Sequence, residues 1–323
     1  MKFGNLARLL IAAGLLTAIV LSIGSATIGS VFQQARISIV MAAYCLVVAD
    51  SFVRAVNWGQ LLHGLGVRCS AAMMHYCLLA GGFFASLMPS SVSTDVARSV
   101  FAARVMGGSV DQYAATIVSL NLVGLLAVCL WGVLAAVVYL VRQQIPIPAL
   151  CVLAGGACYV AVFFLARGWI AKWRVGGQAA TDVAAQPGWR GRLKKFAMSL
   201  LTFTGGRASL RNVLGVSLVN QANRITVLYL VASSVGAGLS WLALCLCGPL
   251  LVVARALPLS MAGFGIDQAG FVGLALLFGV QPQQALVISL INSMLYLALD
   301  LLGGVVYSIA VSRRMVAVRF GRH

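Results

Sequence analysis

Leu87-Met88-Pro89-Ser90-Ser91-Val92-Ser93-Thr94-Asp95 cuts one apolar run of this chain, and Leu257-Pro258-Leu259-Ser260-Met261-Ala262-Gly263-Phe264-Gly265-Ile266-Asp267 cuts another. Proline lacks an amide donor and clashes with the preceding turn, so each break stops an incoming helix. Around the first break lie apolar arms at 72–87 and 93–105; around the second they lie at 240–256 and 266–279. A helix rises about 1.5 Å per residue, and a hydrocarbon core is about 30 Å thick. Each arm is short for a full span, so each pair reads as a hairpin that enters the membrane and returns to the side it came from.

Outside the hairpins, apolar runs at 9–28, 37–56, 112–141, 149–170, 213–233 and 284–311 reach spanning length. The chain has 323 residues, 61% hydrophobic and 9% charged. Soluble domains carry about 25% charged residues, so a globular enzyme in solution is excluded. The expected fold is an all-α polytopic membrane protein, with about six full transmembrane helices and two re-entrant helical hairpins.

Charge sets the orientation. Lys and Arg number 23 against 6 acids, all of them Asp, for a formal +17. Lys2 and Arg8, the loop 172–211 with its Lys and Arg cluster, and the tail residues Arg313, Arg314, Arg319 and Arg322 belong on the cytoplasmic side, where basic residues accumulate. That assignment holds if both hairpins return to the side they entered from, and short arms that span fully would give the same parity. Arg36 and Arg142 then lie outside, and Arg224 and Arg255 lie at depth. The positive charge is thus mostly a topology signal, with attraction to anionic lipid as a by-product. No aromatic-interleaved motif supports a nucleic-acid partner. The expected location is the inner (plasma) membrane, with both termini cytoplasmic.

The order helix, hairpin, helix occurs twice, in about 37–141 and 213–311, and the second copy runs in the opposite direction. Inverted repeats whose broken helices meet near mid-bilayer are a transporter architecture. Non-helical backbone at that depth needs protein or a wet cavity around it.

Charges inside such runs are expensive, at least about 2.5–3.5 kcal/mol each on insertion scales, so they face a cavity or one another. Asp50, Asp267 and Asp300 sit at depth, and Arg54 near an inner helix end. Asp50 and Arg54, four apart, share a helix face and suit a local salt bridge near the interface. Arg224 ends the polar cluster Asn220-Gln221-Ala222-Asn223-Arg224, where it either binds an anion or neutralises Asp267 or Asp300. Arg255, just before the second break, suits a phosphate oxygen because a guanidinium fork matches that geometry. At the breaks, Ser90, Ser91, Ser260, Gly263 and Gly265 let backbone amides open toward an anion at a helix N-terminus. Ser93 or Thr94 also suits a helix cap, with Asp95 in the first turn.

Other chemistry is weakly represented. The cysteines fall mostly in apolar runs and read as small buried hydrophobes. His63, His75 and His323 lack metal-ligand spacing, and no nucleotide or nucleophile motif occurs. No cofactor or metal is expected. Ala26 is a conceivable signal-peptide end, but the long stretch before it reads better as a retained first helix.

The break motifs and their spacing resemble the lysylphosphatidylglycerol synthase transmembrane (flippase-like) family. Met88 through Arg98 is similar to its Leu-Pro-Ser-Ser-Val-Gly-Gly-Asp-x-x-Arg stretch, and Leu257 to Gly265 to its Leu-Pro-Ile-Ser-x-Gly-Gly-Leu-Gly stretch. Gly279-Val280-Gln281-Pro282-Gln283-Gln284-Ala285-Leu286, the element Val123-Gly124-Leu125-Leu126 and the Arg54 helix end also fit, so the likeness covers about 37–308. Several ionisable family positions differ: Leu120-Asn121 replaces an acidic-Arg pair, Ser93-Thr94 replaces Gly-Gly, Asp267-Gln268 replaces Arg-Glu, and Asn292-Ser293 stands where a later Arg is usual. The resemblance implies the membrane half alone, without an aminoacyl-transfer centre.

The expected function is a lipid translocator for an anionic phospholipid, an aminoacyl-phospholipid or a polyprenyl-phosphate-linked lipid. Arg98, Arg224 or Arg255 and the break-motif amides would hold the headgroup, with Asp95 and Asp267 beside them. Asp50, Arg54 and Asp300 are charge-pair or coupling candidates. The competing expectation is a membrane subunit of a lipid-modifying enzyme, in aminoacyl transfer, glycosyl transfer or a hopanoid pathway, working with a separate synthase or glycosyltransferase. The lack of glutamate and of any paired-carboxylate motif weighs against an autonomous enzyme. A scaffold whose buried charges only fix helix packing is the third reading.

Overall fold

The computed structural model describes residues 25–63, 67, 69–86, 91–142, 147–175, 207–256 and 266–312, with backbone alone at 25–28, 91–94, 147, 166–175, 207–209, 253–256 and 266. Among the described residues the regular structure is all α-helix: α1 Ser25–Gln34, α2 Ile37–His63, α3 Ala71–Ser86, α4 Ser91–Met106, α5 Val110–Val141, α6 Ile147–Val175, α7 Arg207–Ser234, α8 Trp241–Ala256, α9 Ile266–Leu276 and α10 Pro282–Ser312. The chain is an all-α integral membrane protein. Among the described residues, four helical stretches are long and apolar enough to cross a bilayer: α2, α5, Pro148–Leu165 of α6, and α10. Large apolar side chains stay exposed along them, as with Val141 at 77% and Leu165 at 72%, which suits hydrocarbon and not water. With 28 residues α7 matches them in length, but its Asn220–Arg224 cluster dilutes its hydropathy. The arms α3, α4, α8 and α9 have 16, 16, 16 and 11 residues.

The helix pairings follow one scheme. α2 lies along α7 over the most extensive contact in the molecule. α3 packs on α10, and α8 packs on α5. Within the arms α3 meets α4, and α8 meets α9; α4 then packs on α5, and α9 on α10. Exchanging α2-α3-α4-α5 for α7-α8-α9-α10 reproduces every one of these pairings. α6 flanks α5 and α8, while α1 flanks α10. Small residues make the close crossings possible. A methyl at Gly303 of α10 would collide with the Leu79 carbonyl of α3, and one at Gly132 of α5 would lie 2.6 Å from Pro249 of α8. Lipid tails give helices no hydrophobic drive to associate, so close backbone approach and interhelical hydrogen bonds carry the packing.

Three sequence expectations are revised. Arg54 is not near a helix end: α2 continues to His63 because Asn57, Trp58, Leu61 and Leu62 are buried against neighbouring helices. Helix occupies both ends of the stretch read as the loop 172–211, since α6 runs through Val175 and α7 starts at Arg207. The cysteines are divided: Cys77, Cys129, Cys245 and Cys247 are buried, whereas Cys45, Cys151 and Cys158 are exposed on helices. A thiol behaves as a small hydrophobe, so a lipid-facing surface accepts it as readily as a core does. The first apolar run, 9–28, lies mostly outside the described residues.

Candidate functional site: a charged cavity between the long helices

Polar residues sew α2 to α7 at mid-length. Asp50 is 0% exposed, and its Oδ2 lies 3.1 Å from Arg54 Nε. Its other oxygen, Oδ1, accepts a hydrogen bond from Asn220 Nδ2 at 2.8 Å. Asn223 Nδ2 donates to the Leu46 carbonyl at 3.0 Å, and Asn57 Nδ2 donates to Ser217 Oγ at 2.9 Å. The i, i+4 pair expected at Asp50 and Arg54 is therefore present, at a helix–helix seam, with Asp50 fully buried and Arg54 partly so. Breaking such a pair on one side leaves an uncompensated buried charge, a loss of about 3–5 kcal/mol.

Beside this seam lies a cavity of about 350 Å³ between α2, α4, α5 and α7, closed in part by Leu78 of α3 and Val252 of α8. Arg54, Arg98, Arg224, Asp95, Asn121 and Gln221 supply its polar wall. Asp95 does not stand alone: its Oδ2 accepts from Asn121 Nδ2 at 2.7 Å, tying α4 to α5. Arg98 crosses from α4 over the Gly81-Gly82 pair of α3. A methyl at Gly82 would lie 2.5 Å from Asp300 Oδ1 and 3.7 Å from Arg98 Nη2. The missing side chain thus makes room for a guanidinium from α4 and a carboxylate from α10 over one turn of α3. Arg98 Nε is buried and makes no hydrogen bond. Arg224 lies with its guanidinium carbon 5.7 Å from the Tyr296 ring centroid, within cation–π range. A smaller cavity of about 100 Å³, lined by Gln221, Arg224, Asn292 and Tyr296 among apolar residues of α5, α7 and α8, continues on the far side of Arg224.

Residues scattered over the sequence are thus gathered. Arg54, Asp95, Arg98 and Arg224 line one cavity, with Asp50 behind Arg54 and Asp300 beside Arg98. Asp267 sits in the first turn of α9. Ser91 opens α4 and Arg255 lies near the end of α8, both described by backbone alone. Ser90, Ser260, Gly263 and Gly265 fall outside the described residues.

Sequence reasoning passed over Asn57, Asn121, Ser217 and Tyr296 as site residues. The amides carried a readable signal, being polar groups within apolar runs. Tyr296 carried none, because a tyrosine in such a run is ordinary.

The profile of the lysylphosphatidylglycerol synthase TM region matches residues 5–304. The chain belongs to that family. No curated protein matches it. Membership agrees with a helical fold and attaches the chain to membrane lipid biochemistry. In this family member, the chemistry on offer is electrostatic: guanidinium forks, a carboxylate and amides enclosed between packed helices, where charge interactions are weakly screened.

Proposed function

We propose that the protein translocates a lipid with an anionic headgroup across the inner membrane, the headgroup entering the cavity between α2, α4, α5 and α7. The observation that carries this reading is the meeting of Arg54, Arg98 and Arg224, with Asp95, in one cavity between the packed helices α2, α4, α5 and α7. Buried ionisable groups in membrane helices mark substrate paths, and guanidinium groups suit phosphate oxygens. Arg255 and the break-motif residues Ser90, Ser91, Ser260, Gly263 and Gly265 complete the proposed path, and Asp267 borders it. The candidate lipids are an anionic phospholipid, an aminoacyl-phospholipid or a polyprenyl-phosphate-linked lipid.

The proposed cycle uses two inverted units, about 37–141 and 213–311, each with a re-entrant hairpin. Their alternation would open the cavity to one side and then the other, with the basic ends of the chain facing the cytoplasm. The exchangeable helix pairings support this reading.

Proteoliposomes holding a fluorescent phosphatidylglycerol in both leaflets test it. The parent protein should expose inner-leaflet probe to a membrane-impermeant quencher, and Arg98→Ala and Arg224→Ala should slow that exposure at least about tenfold, a change of about 1.4 kcal/mol. Exposure equal to that of protein-free vesicles sinks the transport reading.

The family's link to a synthase favours one second reading, a membrane subunit that presents lipid to a separate synthase or glycosyltransferase. In that case lipid modification would need both proteins, and the purified chain alone would move nothing.

A further inference from the structure

α2 and α7 carry the same local pattern at the same register. Asp50-x-x-x-Arg54 on α2 faces Asn220-x-x-x-Arg224 on α7, and the hydrogen-bonded pair Asp50 and Asn220 is 170 residues apart. The same separation divides Arg54 from Arg224. Measured from the helix starts, Asp50 and Asn220 are each fourteenth, and Arg54 and Arg224 each eighteenth. The correspondence extends to α5 and α10. Asn121 and Ser293 are each the twelfth residue of their helix, and each accepts or donates a bond to the preceding arm: Asn121 Nδ2 donates to Asp95 on α4, while Gln268 Nε2 on α9 donates to Ser293 Oγ at 3.2 Å.

Two differences between the copies bear on the arginines. Arg54 has a carboxylate one turn away, and Arg224 has an amide there. At the fifteenth position of α5 stands Gly124, with open space where a side chain would be; at the fifteenth position of α10 stands Tyr296, whose ring lies under Arg224. Tyr296 acts on Arg224 most strongly, through its hydroxyl as well as its ring, and Asp50 and Asp267 act on it from beyond salt-bridge distance. Both arginines line the large cavity, but only one of them has an ion-pair partner across a single helical turn.

We infer that Arg224, and not its counterpart Arg54, holds the phosphate of an anionic ligand in the cavity, with Asn220 and Tyr296 as the positioning residues that keep its charge available. This rests on the headgroup reading above and adds to it the residues that make one of two equivalent arginines the binding one. Asn220 donates to Asp50 and directs that carboxylate's charge to Arg54. Tyr296 supports the guanidinium with its ring and its hydroxyl without neutralising it, so the guanidinium stays charged toward the cavity. Gly124 leaves the space opposite open to the ligand. The ligand's shared chemistry is a phosphate ester, whether attached to a lipid or free.

The test exchanges the two partners. In the double variant D50N/N220D the carboxylate sits one turn from Arg224, the amide sits beside Arg54, and the hydrogen bond across the seam can re-form in mirror image. Binding is measured by the parent and the variants with phosphatidylglycerol in nanodiscs and with glycerol 3-phosphate in solution. Whichever probe the parent binds, D50N/N220D should weaken it at least about tenfold while its thermal unfolding midpoint stays near the parent's. Tyr296→Leu should weaken it similarly, and Tyr296→Phe, which restores the ring, should recover affinity to within about threefold. Binding by phosphatidylglycerol alone makes the lipid the source; binding by both probes makes any phosphate ester a ligand, and both outcomes support the assignment when the exchange weakens them.

Parent-like binding by D50N/N220D or by Tyr296→Leu overturns the inference, as does a parent that binds neither probe. The transport reading fails separately. A protein that binds with this pattern and moves no lipid in proteoliposomes refutes transport alone, whereas lipid movement undiminished by the exchange refutes the Arg224 assignment alone.

Discussion

α2 and α7 lie side by side, each carrying an arginine at its eighteenth residue, yet their electrostatics differ. On α2 the arginine is joined to a fully buried carboxylate. On α7 it lies over an aromatic ring. Two helices with one register, packed on each other, thus present an ion-paired arginine and one without a carboxylate on the same turn to the same cavity. Symmetry of packing does not impose symmetry of charge: helix contacts depend on small residues and shape, whereas an ion pair depends on a single side chain.

The strongest attempt to break the comparison removes the carboxylate. Asp50→Ala leaves the partly buried Arg54 guanidinium without its counter-charge and should lower stability by about 3 kcal/mol, the low end for a broken buried pair, read as a large drop in the thermal unfolding midpoint in detergent. Asn220→Ala at the matching site removes one charge-assisted hydrogen bond and should cost about 1.5–3 kcal/mol, with the lower end expected in lipid. Equal losses from the two variants would mean that the seam is held by shape and that the charge asymmetry is incidental.

A second substitution sharpens the packing half of the comparison. Gly303→Ala drives a methyl into the Leu79 carbonyl and should cost about 1–3 kcal/mol by overpacking. Gly155→Ala, where a methyl meets nothing within 4 Å, should shift the unfolding midpoint little or upward, since alanine is the better helix former. The smallest of the expected losses is at Asn121→Ala, which frees Asp95 from α5. It should cost about 0.6–1.7 kcal/mol, the scale of interhelical hydrogen bonds in membranes. A double-mutant cycle with Asp95→Ala would show whether that loss belongs to their contact.

Much of this was readable from the chain. Pro89 and Pro258 were readable as breaks because a missing amide acts locally, and both lie outside the described residues, in the stretches after α3 and after α8. Asp50 and Arg54 were readable as neighbours because helical spacing alone brings i and i+4 together. Arg98 and Asp300 were not readable as neighbours: they meet over Gly82, on a third helix, and no spacing in sequence encodes that crossing. The end of α2 was misplaced because Asn57 and Gln60 look like an exit from the membrane, whereas Asn57 is buried against Ser217 of α7. A polar residue inside a helix bundle and one at a membrane surface have the same hydropathy.

By itself the amino-acid sequence determined an all-helical membrane chain, two proline-interrupted segments and a short roster of buried charges. These properties add up along the chain and need no knowledge of which helix lies beside which. Only the tertiary structure decided that Arg54 and Arg224 share a cavity, that Asn220 turns toward Asp50, and that Tyr296 underlies Arg224. Each of those facts is a meeting of faces from different helices. At that range a few ångströms separate a neutralised arginine from one whose charge a ligand can use.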